Sequence, residues 1–386
     1  MKKILGRFSP RFGRICNPTV WKRGFEIPKL NFGELQIRRN KNRDTGLRPS
    51  SVCLVLMILF GSCNPKPQKI VLQGLAQGSY YAVTYFDDEG RNFQRDIDSI
   101  FHAVDRSVNL WVDSSIICKV NRNEDVTLDR IFIDNFNIAQ EAARLSDGFF
   151  DPTISPIVAA WGFSYKTGDS ITPQLIDSLK QLVDYRNIRI EDGKVVKGNP
   201  NMKLDFNAIA QGYTSDLIAA FLDSKGIKNY LVDTGGEIMA RGGKPDGQPW
   251  IVGIEKPADN WDSERIVQSR IALRDKGLVT SGSTRKYVER NGKRYSHCID
   301  PKTGYPVEHN VLSVTVLAES SVWADALASI CMVMGMERSL PLIESMDGVE
   351  AYYIFVNERN ELETFATAGL MRFTPRTPTG KWQTGR

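Results

Sequence analysis

The sequence predicts an α+β fold, a single large mixed domain with a mostly antiparallel sheet. Stretches with helical spacing and stretches rich in β-branched and aromatic residues intermix without the regular period of a parallel βαβ sheet. The chain has 386 residues, of which 41% are hydrophobic and 25% are charged, as is typical of a globular protein. This composition excludes disordered, collagen-like and multispan membrane proteins, and no repeat of fixed period is present.

The elements follow from local patterns. The stretch 79–86 is β-branched and aromatic and predicts a strand. Apolar residues between Phe93 and Val108 recur at spacings of three and four, which predicts a helix. Thr172 followed by Pro173 marks the start of another helix. The other predicted elements are helices at 131–146, 208–222 and 322–334 and strands at 230–233, 250–255, 312–317 and 352–356.

The charge of the chain is unevenly distributed. The net charge is +5, but residues 1–50 contain 13 Lys and Arg against 3 Asp and Glu. From position 51 onward 37 basic residues face 42 acidic ones, so this part carries −5. A nucleic-acid-binding protein needs its cations clustered in the folded part. We therefore expect no nucleic-acid partner.

A short apolar run follows the basic start. Residues 52–60 are nine apolar residues, which is too few for a permanent span of about 20 residues but suits the core of a signal peptide. The Gly-Ser-Cys that ends at Cys63 resembles a bacterial lipobox, which makes Cys63 the lipidated first residue of the mature chain. An ordinary signal peptide or a short buried strand is the alternative. The basic region before the run is unusually long, so a later translation start also remains open.

These features divide the chain into four parts. We expect a leader at 1–62, a lipidated tether at 63–69, the folded domain at 70–373 and a flexible tail at 374–386. Lipidation at Cys63 predicts a membrane-anchored lipoprotein on the exported, periplasmic side of the inner membrane.

The helix predicted at 322–334 carries the first chemical signal. It is apolar almost all round, so it is expected to be buried, and Asp325 and Ser329 lie four residues apart on one face. A buried carboxylate is costly unless it is paired or binds a metal. The alternative is that Asp325 helps to cap the helix and that Ser329 bonds back to the chain.

Two glycine- and acid-rich junctions are further candidates. Asp205 and Asn207 lie where a strand-like stretch runs into a helix start, and the free N–H groups of such a start favour an anion. Capping alone is the alternative. Gly235 and Gly236 follow a predicted strand and allow the backbone to approach a ligand closely, although paired glycines also form plain turns.

A fourth region combines hydroxyl groups with a histidine. The stretch 280–283 is Thr-Ser-Gly-Ser, which offers donors to phosphate oxygens, and His297 precedes a turn sequence at 300–304. The chain has three histidines, and His102 falls in an amphipathic helix while His309 falls in a loop. His297 is therefore the best candidate for proton transfer, with a structural histidine as the alternative.

Taken in order, seven motifs resemble those of the FAD:protein FMN transferases, the ApbE-type flavin transferases. The resemblance runs from Gly78 to Phe373. The motifs are Gly-Ser-Tyr-Tyr at 78–81, Phe-Asp-Pro-Thr-Ile-Ser-Pro at 150–156 with Trp-Gly-Phe at 161–163, 204–213, Gly-Gly-Glu at 235–237, Thr-Ser-Gly at 280–282, 296–304 and Ala-Asp-Ala-Leu-Ala-Ser at 324–329.

The resemblance implies an ApbE-like enzyme that binds FAD and Mg²⁺, cleaves the diphosphate, transfers FMN to a threonine or serine hydroxyl of an exported protein and releases AMP. It implies metal ligation by the Ala208 carbonyl, Asp325 and Ser329, and a catalytic role for Asp325. We add the hypothesis that His297 accepts the hydroxyl proton. The implied flavin contacts are Trp111, Phe149, Phe150, Asp151, Asp205, Gln211 and Ile299.

The sequence departs from the family pattern at four positions. Ser329 stands where threonine is common and Gln211 where lysine or glutamate is common, while Trp111 and Gln77 replace tyrosine and methionine of some relatives. Serine keeps the ligand oxygen, so the metal site survives. Gln211 is neutral where the family commonly carries a charged side chain.

The resemblance also suggests a partner and leaves two other functions open. The acceptor is expected to be an exported redox protein, such as a subunit of a sodium-pumping NADH:quinone reductase or of an Rnf complex. The alternatives are a periplasmic FAD pyrophosphatase that yields FMN and AMP, and a non-catalytic flavin-binding lipoprotein. The Asp325 and Ser329 pair argues against a mere binder, which has no need of a metal at the diphosphate.

Overall fold

The sheet that organises the fold is entirely antiparallel. The computed structural model describes residues 67–163, 170–257, 266–283, 287–290 and 293–374, with the backbone alone at 287–290 and 293–295. The leader, Cys63, most of the predicted tether and the tail after Thr374 lie outside the described residues. In chain order the strands are β1 Gln68–Ala76, β2 Ser79–Asp87, β3 Ile188–Glu191, β4 Lys194–Lys197, β5 Tyr230–Thr234, β6 Glu237–Arg241, β7 Trp250–Glu255, β8 Val267–Leu273, β9 Lys276–Gly282, β10 Tyr287–Arg290, β11 Lys293–Ser296, β12 Val311–Ala318, β13 Glu350–Val356 and β14 Leu362–Ala366.

Eight of these strands form one sheet in the order β1-β2-β5-β6-β9-β12-β13-β14, and each neighbouring pair runs antiparallel. The pairs β3–β4, β7–β8 and β10–β11 form separate hairpins. The predicted α+β class with a largely antiparallel sheet is thus confirmed. Gln68 and Lys69, predicted at the end of the tether, are the first two residues of β1.

Eight α-helices and two 3₁₀ helices accompany the sheet in the described part of the chain. They are α1 Gln94–Val108, α2 Ile116–Asn121, α3 Arg130–Leu145, α4 Ser155–Trp161, α5 Pro173–Lys180, α6 Ala210–Ser224, α7 Ser321–Met334 and α8 Met336–Glu344, with 3₁₀ helices at Tyr185–Asn187 and Ala368–Phe373. The structure thus contains all five predicted helices, and α6 begins two residues later than expected.

The core lies on both faces of the sheet. On one face α1 and α6 pack against β1, β2, β5 and β6 around fully buried Tyr85 and Tyr230. Farther along the same sheet α7 packs against β9 and β12. On the other face a cluster centred on Trp250 of β7 joins the β7–β8 hairpin to the strands beneath it. Helix α7 is therefore held between the sheet and α6, which also contacts it.

The described residues belong to one compact unit. Within them, no helix has both the length and the apolar character that a membrane crossing requires.

Candidate active site

The site lies where α6 crosses α7, and Gly212 allows the two helices to approach each other closely. A Cβ atom at Gly212 would lie 2.7 Å from the Ser321 carbonyl oxygen, 2.8 Å from the Val322 Cα and 2.9 Å from the Asp325 Cβ. Real Cβ atoms do not approach backbone so closely, so only glycine allows this contact. Sequence reasoning placed Gly212 in a motif but gave it no role, because a glycine in a helix carries no local sign of the helix it touches.

Asp325 faces the start of α6 across this contact. Its side chain is buried, and its Oδ2 accepts a hydrogen bond of 3.2 Å from the Gly212 N–H. In a regular helix that N–H donates to the carbonyl four residues earlier, which is Ala208. No described residue donates a hydrogen bond to the Ala208 oxygen. Asp325 thus takes the donor that would otherwise occupy Ala208, and it leaves this carbonyl oxygen open at the same turn.

Ser329 lies one helical turn beyond Asp325. Its side chain is half-buried, and its hydroxyl forms no hydrogen bond with the residues that the structure describes. Ser339 in α8 behaves differently, because its hydroxyl donates to the Gly335 carbonyl at 2.8 Å. The back-bonding that the alternative reading of Ser329 required is therefore absent within the described part of the chain.

These three oxygens fit the chemistry of Mg²⁺. Mg²⁺ prefers oxygen ligands and usually takes few from the protein, completing its octahedron with phosphate oxygens and water. The set has a single acid, and among the described residues no group of three His, Cys, Asp or Glu side chains could hold a metal by itself. Such a site suits an ion that binds together with a diphosphate.

Two turns of the sheet converge on the start of α6. Gln211 Nε2 donates to the Thr234 carbonyl at 3.4 Å, at the end of β5. The turn between β1 and β2 reaches the same helix, because Gln77 Nε2 donates to the Thr214 hydroxyl at 3.1 Å. Gly235 lies against Ser79 and Gln211. The predicted motifs at 78–81, 204–213 and 235–237 therefore meet at one place.

Asp205 occupies the turn before α6. Its backbone N–H donates to the Pro152 carbonyl at 2.8 Å, and its Oδ1 accepts from the Asn207 N–H at 2.8 Å. Burial raises the pKa of this carboxyl above its ordinary value. Asn121 pins the same segment by donating to the Leu204 carbonyl and accepting from its N–H. The expectation that Asp205 caps the helix is wrong, because α6 follows Ile209 with no side-chain cap and Asp205 instead stabilises the turn before it.

The segment Phe149, Phe150 and Asp151 borders Asp205 through Pro152. Asp151 is buried, its Oδ1 accepts from the N–H and hydroxyl of Thr153, and its Oδ2 accepts from the Tyr185 N–H at 2.9 Å. Burial raises the pKa of Asp151. Phe150 is buried as well, so both side chains lie in the protein interior. Phe149 is half-buried, with the Lys302 ammonium 4.0 Å from its ring centre.

Trp111 differs from the other aromatic candidates because its side chain is 61% exposed. Its backbone N–H donates to Asn109 Oδ1 at 2.8 Å, which fixes the loop between α1 and α2. The exposure excludes a core role and leaves the ring able to stack on a flat ligand.

Ile299 and His297 lie in a turn that packs on α4 and α5. Ile299 is buried in a cluster with Trp161 and Ile176, and Trp161 Nε1 donates to the Gly304 carbonyl at 2.9 Å. The half-buried His297 ring lies 6.3 Å from that of Phe163, edge to face. Ile299 therefore serves the core beneath this turn, while His297 sits at its beginning.

Thr280 of the fourth predicted region and the loop residue His309 serve the fold instead. Thr280, expected among donors to phosphate, lies in β9, where its hydroxyl pairs with that of Thr315 at 2.7 Å. His309 is excluded as a proton shuttle because its Nε2 is bonded to the Met332 carbonyl at 2.6 Å and its Nδ1 accepts from the Val311 N–H at 3.2 Å.

The geometry therefore brings Ala208, Gln211 and Asp325 together at the α6–α7 crossing, with Ser329 one turn away, and Asp205 joins them to the Phe149 segment. A family model described as the ApbE family matches residues 77–353. This chain belongs to the ApbE family. The ligand roles of the individual residues stay predictions.

The relatives agree in sequence and in fold. An FAD:protein FMN transferase of Vibrio cholerae is 33% identical over 303 residues, covering 76% of this chain and 90% of the relative. One of Haemophilus influenzae is 31% identical, covering 84% and 96%. The structure of the flavin transferase ApbE from Vibrio cholerae aligns with a TM-score of 0.71 at 29% identity, covering 80% of this chain and 99% of that one. The apo flavinyl transferase ApbE from Pseudomonas stutzeri aligns equally well, with a TM-score of 0.71.

Proposed function

We propose that this protein transfers the FMN half of FAD to a threonine or serine hydroxyl of an exported protein, in a Mg²⁺-dependent reaction that releases AMP. The names of the relatives support the activity. The observation that carries the metal site is the Gly212 N–H bonded to Asp325, which leaves the Ala208 carbonyl oxygen open beside a buried carboxylate. A protein that merely stores flavin has no use for that arrangement.

The chain's own groups have distinct tasks in this reaction. Ala208, Asp325 and Ser329 hold Mg²⁺, which when bound neutralises charge on the diphosphate oxygens. Trp111 offers its exposed ring to the flavin, and Gln211 lies where the helix start meets the turns of the sheet. The start of α6 adds the positive end of its helix dipole for phosphate, since the Ala210, Gly212 and Tyr213 N–H groups are already bonded within the protein.

The proposed transfer needs only FAD and the acceptor hydroxyl as reactants. The hydroxyl oxygen of the acceptor forms a bond to the phosphorus of the FMN half, and the bond from that phosphorus to the bridging oxygen breaks. AMP departs with the bridging oxygen, and His297 takes the hydroxyl proton. In-line placement of the two oxygens is what the acceptor and the site must provide together.

Tethering restricts where the acceptor is found. With a lipid on Cys63 the enzyme is held at the periplasmic side of the inner membrane, and its acceptor is an exported domain of a membrane redox complex. A subunit of a sodium-pumping NADH:quinone reductase or of an Rnf complex has this character.

The decisive experiment is to incubate the Cys63→Ala chain with FAD, Mg²⁺ and a candidate acceptor and to weigh the acceptor. A mass gain equal to FMN, with AMP in the medium, supports transfer. Release of FMN and AMP with no acceptor modified would establish the pyrophosphatase instead, and intact FAD in the presence of Mg²⁺ would establish storage. Asp325→Asn is the control, since it removes the negative charge of the ligand and keeps the size of the side chain.

A further inference from the structure

A second carboxylate joins α6 to α7. It lies outside the seven sequence motifs and has no predicted role. Asp216 lies on α6, four residues after Gly212, and is half-buried. Its Oδ1 accepts from the Ser321 N–H and its Oδ2 from the Val322 N–H, each at 2.9 Å. These are the first two N–H groups of α7. They have no partner within their own helix, and they form its positive end.

The cap that α7 supplies itself is weaker. Ser320 precedes the helix, and its hydroxyl accepts from the Trp323 N–H at 3.4 Å. Asp216 therefore provides the shorter bonds, and it provides them from another helix. Its role is to place α7 as well as to cap it.

The contacts made by Asp216 and Gly212 form a two-point attachment. Gly212 meets Asp325 and Asp216 meets Ser321 and Val322, so the two contacts are one turn apart on each helix. One contact alone allows rotation of α7 about its axis, whereas two contacts fix both its rotation and its position along α6.

Strand β9 also contacts the start of α7, through Gly277. A Cβ atom at Gly277 would lie 2.4 Å from the Ser320 carbonyl carbon and 2.5 Å from the Ser321 nitrogen. The start of α7 therefore touches the backbone of the sheet directly. Held between Gly277 and Asp216, it has little freedom to move.

We propose that Asp216 is a positioning residue for the Mg²⁺ site, acting through the start of α7 to aim Asp325 and Ser329. This inference rests on the proposed function. Mg²⁺ requires near-ideal octahedral geometry at about 2.0–2.1 Å, so a small rotation of α7 misplaces two of its three protein ligands. Residues that orient metal ligands typically change metal affinity by about 10–100-fold when they are mutated.

The test measures the Mg²⁺ concentration that gives half-maximal FAD binding, followed by flavin fluorescence with the full chain and no acceptor. In Asp216→Asn one oxygen still accepts, but an amide N–H faces the other backbone N–H. We expect a rise of about tenfold or more in the half-saturating Mg²⁺ concentration. FAD binding without Mg²⁺ should be unchanged. Ser320→Ala is the matched control, because it weakens the same helix start without touching α6, and it should leave the Mg²⁺ requirement unchanged.

Gly212→Ala provides a second route to the same displacement, since its methyl group pushes α7 away. It should also raise the Mg²⁺ requirement, which keeps the test decisive if Asp216→Asn fails to fold. An unchanged requirement in folded Asp216→Asn, or an equal rise in Ser320→Ala, would overturn the positioning role. Asp325→Asn separates the two levels of the proposal. If Asp325→Asn binds FAD with the wild-type Mg²⁺ requirement, the proposed metal site itself is wrong. If the Mg²⁺ requirement changes in Asp325→Asn but not in Asp216→Asn, only the positioning role is refuted.

Discussion

At the scale of single residues, the surroundings of His309 and His102 argue against proton transfer at either, and His297 stays the candidate. His309 has both ring nitrogens engaged, and His102 is exposed on α1. We expect His297→Ala to lower the rate of FMN transfer by about 10²–10⁴-fold, because that is what general base catalysis contributes. Flavin fluorescence should show unchanged FAD binding, and His102→Ala is the control that should transfer at the normal rate. Undiminished transfer by His297→Ala would remove it from this role.

We predict that His309 makes the stability of the folded protein sensitive to acid. Burial lowers its pKa below the ordinary 6.5, and the nearby Arg338 cation acts in the same direction, while the hydrogen bond to the Met332 carbonyl opposes the shift only in part. The unfolded chain takes up the proton near pH 6.5 and the folded protein only below it. This contribution to stability is therefore complete above pH 6.5 and is lost as the pH falls below that value.

Urea unfolding of the wild type and of His309→Gln, at about pH 7.5 and about pH 5.5, measures this effect. Glutamine can donate and accept at the same two places but does not titrate. We expect the wild type to lose more stability between these pH values than the variant does. Equal losses would show that His309 does not carry the acid sensitivity.

The residue types of the site could be predicted, but their surroundings could not. Asp325 and Ser329 stand four apart in an apolar helix, which is a local pattern. The donor to Asp325 is Gly212, 113 positions earlier, and the partners of Asp216 are 105 and 106 positions later. No local pattern reports contacts of that range. Asp151, a predicted flavin contact, likewise has a distant partner that no local pattern reports, the Tyr185 N–H 34 positions later.

At the scale of elements, periodicity identified the long helices and missed short or polar elements. Helices α1, α3 and α7 have 14 to 16 residues and clear apolar patterns. Helix α2 has only 6 residues, too few for a periodic signal. Strand β9 reads Lys-Gly-Leu-Val-Thr-Ser-Gly, which looks like a loop until its neighbours β6 and β12 supply hydrogen bonds on both sides.

The contact of β9 with the start of α7 predicts the effect of a substitution on the stability of the protein. In Gly277→Ala the new methyl group would meet backbone atoms of Ser320 and Ser321, which cannot rotate away. We expect a loss of about 1–3 kcal/mol in the free energy of unfolding, typical of overpacking. Gly282→Ala in the same strand is the matched control, because its nearest neighbour, the Leu312 oxygen, lies 3.3 Å away. Equal losses in urea unfolding would contradict the close packing of α7 on β9.

At the scale of the whole molecule, the site exists only through the fold. The crossing of α6 and α7 brings Ala208, Gln211 and Asp325 together from segments more than 110 positions apart. The predicted leader differs from the rest of the chain in charge, because its excess of Lys and Arg contrasts with the acidic remainder of the chain. The described residues form the domain that matches the ApbE family, and the sequence before them is the basis of the proposed membrane location.

The assignment of that place depends on Cys63. In a bacterial host, the full chain should sediment with membranes and incorporate a labelled fatty acid, whereas Cys63→Ala should do neither. The physical reason is that each buried methylene of an acyl chain adds about 0.8 kcal/mol of membrane affinity, and more than one chain is needed for stable anchoring. Cys118→Ala is the control, because that thiol is buried in the folded body and its removal should leave both properties intact. Membrane association and labelling that persist in Cys63→Ala would show that the anchor, and with it the predicted start of the mature chain, lies elsewhere.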